Sequence, residues 1–106
     1  MTAPSFPAVG HTYEVDFGGG NAFSIEFKSD AEMVFTKRAE PNKGLVETVR
    51  FTHKVIRPDV FLIYWQEADK TTVVHVEDFG QGMIYTNITS PNGTFFNGSS
   101  HMKRIK

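Results

Sequence analysis

Two side chains able to move protons, Glu67 and His75, lie in the stretch from Val60 to Asp78, around which the chain is organised. The stretch reads as two β-strands joined by a polar turn at Ala68, Asp69 and Lys70. Its first half is aromatic and aliphatic up to Gln66, and its second half is rich in Thr and Val, a composition suited to a pleated surface packed on both sides. Glu67 follows Trp65, Ile63 and Phe61 at a period of two, which would aim it inward as an acid/base or hydrogen-bond anchor with a raised pKa. At the strand end it would instead be solvated. His75 would serve either as a proton carrier, the role open to an imidazole, or as a hydrogen-bonded structural residue.

The register of this hairpin decides which groups meet. A three-residue turn sets Glu67 opposite Thr71, Trp65 opposite Val73 and Ile63 opposite His75, all on one face. A two-residue turn at Asp69-Lys70 brings Val74 and Val76 inward instead, and both registers stay open. Tyr13, Tyr64 and Tyr85 lie in strands, where an inward hydroxyl would orient a ligand. Arg50, between Val49 and Phe51, is either an inward counter-charge for a carboxylate or part of an outer polar face.

Other chemistries are excluded or unsupported. The chain has no cysteine, which removes disulfides and thiolate sites. Its histidines, His11, His53, His75 and His101, have no local metal-ligand spacing, so no metal and no cofactor is expected. No serine sits in a nucleophile elbow. Gly18, Gly19 and Gly20 lack the following Gly-Lys-Ser/Thr and helix of a phosphate loop, and read as a turn. A formal net charge of −1, with both signs scattered, gives no reason to expect nucleic acid or an anionic membrane as partner. No apolar run approaches the ~20 residues of a membrane span, and the start shows no signal-peptide pattern. The expected location is cytoplasmic. Three Asn-x-Ser/Thr matches, at Asn87, Asn92 and Asn97, then read as turn and strand chemistry.

These groups need a scaffold, and the 106 residues suffice for one domain. An opening arm through Val9 carries two prolines, Pro4 and Pro7, and should be extended or loosely held. Strands follow at 12–17, 22–28, 32–38, 45–53, 60–67, 71–78, 83–89 and 94–97, the last continuing weakly to the end. Residues 54–59 read as a connection. Tight turns, plainest at Ser90-Pro-Asn-Gly93, favour pairing between neighbours. The expected fold is therefore all-β: an eight-stranded antiparallel up-and-down barrel, closed so that no edge is exposed. Such a barrel is either filled by side chains or holds one small ligand.

Two segments carry a resemblance. Val9-Gly-His-Thr-Tyr-Glu-Val-Asp-Phe17 with its glycine turn, then Phe23-Ser-Ile-Glu-Phe-Lys-Ser-Asp30, resemble the opening of MoaF-like barrels, which are lipocalin-like (calycin). Tyr64-Trp-Gln-Glu67 and Thr71-Thr-Val-Val74 fit the same group. The resemblance implies one domain over 1–106, and the family name implies molybdenum cofactor biosynthesis. A more distant similarity, to cofactor-free phenolic acid decarboxylases, places their catalytic glutamate on Glu67. It places their two tyrosines on Glu14 and Asp16, and their arginine near Thr36.

The leading expectation is a small-molecule-binding barrel holding a small, partly aromatic or apolar ligand. Tyr13, Arg50, Trp65, Glu67, Val73, His75 and Tyr85 are its candidate ligand contacts. The alternatives are a decarboxylase-like lyase with Glu67 as general acid, and a filled barrel whose outer aromatic faces form a homodimer.

Overall fold

A computed structural model describes residues 6–106, and residues 1–5 of the expected opening arm lie outside it. Alternating apolar and polar residues give ten strands: β1 Thr12–Asp16, β2 Ala22–Phe27, β3 Glu32–Lys37, β4 Val46–Arg50, β5 Thr52–Arg57, β6 Val60–Gln66, β7 Thr72–Asp78, β8 Met83–Thr89, β9 Phe95–His101 and β10 Lys103–Arg104. They form two five-stranded antiparallel sheets, ordered β10-β1-β2-β3-β4 and β5-β6-β7-β8-β9. There is no helix among the described residues, and so none long and apolar enough to cross a membrane.

The expected eight-stranded closed barrel is corrected here, and two residues explain the difference. The predicted strand 45–53 breaks at Phe51. Arg50 still pairs with Glu32 of β3, whereas Thr52 already pairs with Tyr64 of β6. Phe51 leaves both ladders, donates its N–H to Ala31 O at 2.9 Å and buries its ring. The final strand breaks in the same way at Met102, whose N–H donates to Gly82 O at 2.8 Å, before Glu14 pairs with Lys103. The two sheets thus share edges through chain that bends between them, instead of through one continuous hydrogen-bonded cylinder. The neighbour-to-neighbour meander holds otherwise.

Residues 52–57, expected to be a connection, are strand β5. Nearly all of its side chains are exposed, so it lacks the alternation that marks a half-buried strand. Strand β6 was expected to be covered on both faces, but Tyr64 and Gln66 face solvent while Phe61, Ile63 and Trp65 are buried. The described part of the arm is also not loose. Phe6 is buried and stacks on His53, with its ring edge-on to Phe27, Phe61 and Phe79 at 5.1, 5.2 and 5.6 Å. Phe6 fills one end of the space between the sheets. The other end holds the site.

Candidate functional site

The β6–β7 turn fixes the register left open by the sequence. Lys70 takes a φ of 80°, and its N–H donates to Glu67 O at 2.9 Å. Three turn residues are thereby accommodated before Glu67 N–H meets Thr71 O at 2.7 Å. Trp65 then pairs with Val73 and Ile63 with His75, so Trp65, Val73 and His75 turn inward together.

Between the sheets at this end lies a cavity with about 30 Å³ of room for water centres. Phe17, Phe23, Phe35, Trp65, Val73 and Ile88 supply much of its apolar wall, and Glu67, His75 and Thr86 are its polar groups. That space suits one or two small groups, because a water needs at least ~10–15 Å³ of such volume. Phe23 and Ile88 are only partly buried, so they can yield to something larger.

Its polar groups are linked in two pairs. Trp65 Nε1–H donates to Glu67 Oε2 at 3.1 Å, and the indole stands edge-on to His75 at 4.8 Å. His75 Nδ1 lies 3.0 Å from Glu77 Oε2, with both side chains almost wholly buried. A carboxylate at that position accepts Nδ1–H, and in the neutral imidazole Nε2 is then the acceptor nitrogen. Glu77 Oε1 and Thr86 Oγ1 are buried without a hydrogen-bond partner among the described residues. Thr86 is directly across the ladder from His75, so a polar strip crosses β7 and β8 inside an otherwise apolar core. Beside Thr86, Gly98 leaves little room for a side chain, since a Cβ there would sit 3.1 Å from Phe17 O.

Burial pushes the Glu67 carboxyl from 4.5 up to about 7; the Trp65 hydrogen bond opposes this, and the Glu47 and Asp69 charges add to it. The Glu47 carboxylate also accepts the Ala68 N–H at 3.0 Å, bracing the turn from β4. The folded protein therefore holds the Glu67 proton more tightly than the unfolded chain does. That contribution is full below the unfolded value of 4.5 and is lost as pH rises to about 7. A Glu67→Gln variant cannot ionise there, so it should gain stability over the parent as pH rises through this window. Urea unfolding at about pH 5 and about pH 8 checks it, and an equal difference at both would remove the assigned titration.

Four predicted site residues, Trp65, Glu67, Val73 and His75, line this one cavity. Tyr13 is buried but packs towards Phe27 and Phe79. Burial raises its phenol pKa, with Arg104 opposing and Glu77 adding. Arg50 and Tyr85 lie on the outside: Arg50 in an outer groove with Tyr64 and Gln66, and Tyr85 on the outer face of β8 at 45 % exposure. Glu14 and Asp16, the positions matched to catalytic tyrosines, are exposed, because Tyr13 and Val15 take the inward phase of β1. Sequence reasoning missed Glu77 and Thr86. The signal for Glu77 was its place two residues after His75, on the same face once the three-residue turn is adopted.

No group of three or more His, Asp or Glu side chains able to hold a metal occurs among the described residues. No curated protein matches the chain. A solved structure from Burkholderia vietnamiensis, described as "a putative beta-lactamase", is similar at 28 % identity and a TM-score of 0.87, covering 97 % of this chain and 100 % of that one. The MoaF-like family matches residues 9–103, nearly the whole length over which both the two-sheet scaffold and the cavity are built, and the chain belongs to that family.

Proposed function

We propose that this MoaF-like domain binds a small molecule in the space between its two sheets. The observation that carries the proposal is the gathering of Glu67, His75 and Thr86 on a cavity otherwise lined by apolar and aromatic side chains. Pockets of this composition, with a few polar groups converging on an apolar wall, are typical of ligand sites. Buried ionisable pairs such as His75–Glu77 contribute little to stability against an apolar replacement, which favours a role in recognition. The ligand's apolar part would rest on Trp65 and the phenylalanines while its polar end meets His75 and Thr86. A ligand of more than one or two heavy atoms would enter by displacing Phe23 and Ile88.

Two other readings have less support. A decarboxylase-like lyase needs a cation to hold its carboxylate substrate, but no Lys or Arg lines the cavity. A serine β-lactamase uses a Ser-x-x-Lys pair on a helix. Here Ser100 and Lys103 have that spacing but belong to the extended β9 and β10, where residues three apart face opposite ways. The Ser100 hydroxyl also accepts the Asp16 N–H at 2.9 Å and donates to His101 O at 2.7 Å.

Trp65 is the sole tryptophan and lines the cavity, so its fluorescence reports occupancy. A saturable change is expected with at least one class among amines, alcohols, pterins and aromatic acids, and it should disappear in Val73→Phe, which fills the cavity. Silence from every class, confirmed by calorimetry, would overturn internal binding.

A further inference from the structure

We infer that the cavity selects a small organic amine, bound as its ammonium, over neutral and anionic molecules of the same shape. This rests on the binding reading above and names the class of ligand. The polar groups around the cavity can all accept a hydrogen bond. Glu67 brings a carboxyl group, and His75 brings the ring nitrogen not turned to Glu77. Thr86 keeps an unpaired, fully buried hydroxyl on the same wall. The Glu77 carboxyl, with one oxygen unpaired, stands directly behind His75. Glu47 and Asp69 add two more carboxylates close enough to act on Glu67.

Donors for an anion are few by comparison, the Thr86 hydroxyl being able to offer one. The Trp65 N–H is already committed to Glu67, and no Lys or Arg lines the wall. Arg50, the one arginine expected to serve as an inward counter-charge, faces the outer groove. A carboxylate entering here would meet acid groups and no compensating cation, which is strongly unfavourable in a low-dielectric space. An ammonium meets the reverse. It carries only donors, which match the acceptors, and any lining aromatic ring that turns its face to it adds attraction.

The test uses three probes of one shape: benzylammonium, benzyl alcohol and benzoate. They are titrated into the full chain by calorimetry at about pH 8, where Glu67 is mainly ionised. Methylammonium and methanol repeat the comparison at a size that needs no side chain to move, with formate one heavy atom larger. The ammonium of each set should bind at least about tenfold more tightly than the alcohol, and the carboxylate should not bind measurably. Glu67→Gln retains an oxygen to accept the Trp65 N–H, and it should bring the ammonium-to-alcohol ratio close to one. Equal affinities within a set, or preference for the carboxylate, would overturn the amine assignment while leaving internal binding intact. Failure of all six probes and of the wider panel would remove both.

Discussion

Removing one partner of the buried His75–Glu77 pair is expected to lower stability by about 3–5 kcal/mol. The pair sits in the core with side-chain exposures of 4 % and 1 %, out of reach of bulk water. Among the described residues, Glu77→Ala removes the one acceptor of the imidazole Nδ1–H, and His75→Ala removes the one donor to the carboxyl. Either change strands a polar group in an apolar setting, and that desolvation penalty is the source of the loss. The double variant His75→Leu/Glu77→Met behaves differently, because no polar group is left behind. Its stability should equal or exceed the parent's. Urea midpoints with unchanged slopes provide the measurement, and the cycle of single and double variants isolates the coupling. Additive losses across the cycle would show that the two side chains do not act as a pair. A stable double variant that no longer binds the cavity's ligand would separate what these residues do for folding from what they do for recognition.

Phe6→Ala should have an effect of similar size at the other end of the molecule, about 3–5 kcal/mol. One ring touches five others, Phe27, Phe51, His53, Phe61 and Phe79, at centroid separations from 5.1 to 5.6 Å. Truncating it removes several edge-to-face contacts and leaves a void between sheets that are joined on both sides and cannot easily close over it. Phe6→Leu, which keeps most of the volume, should cost clearly less. Thermal or urea unfolding distinguishes the two, and an alanine variant within about 1 kcal/mol of the parent would mean that the segment does not anchor the core. Binding at the cavity should persist in Phe6→Leu, since Phe6 is not among the cavity-lining residues.

How much of this was legible in the sequence differs from feature to feature. The hairpins were plain, because Gly18 to Asn21 and Ser90 to Gly93 carry unambiguous turn chemistry between alternating runs. The β6–β7 register was not, since it depends on Lys70 adopting positive φ, a conformation that lysine rarely takes and no local pattern announces. Trp65, Val73 and His75 were recognisable as a shared face only on condition of that turn. Glu77 looked like the polar end of a strand, although the same alternation that brings His75 inward also buries it. Phe51 and Met102 read as ordinary strand residues. Each changes its neighbours from one sheet to the other, a consequence of tertiary pairing to which a local sequence window is blind. For the same reason Tyr85 and Arg50 were candidates until the pleat put them outside.

The pairing of β1 with β10 also bears on the order in which the molecule assembles. Every other ladder joins strands that follow one another along the chain, so each can zip from its own turn with little entropy lost to loop closure. The β1–β10 clasp is different: His11 Nδ1 meets Lys106 O across a separation of 95 residues. Its closure is cheap only after both meanders exist and the bends at Phe51 and Met102 have brought the far strand alongside. The clasp is thus a late event in folding, a latch set on two finished sheets, and β1 keeps an unpaired edge until it forms.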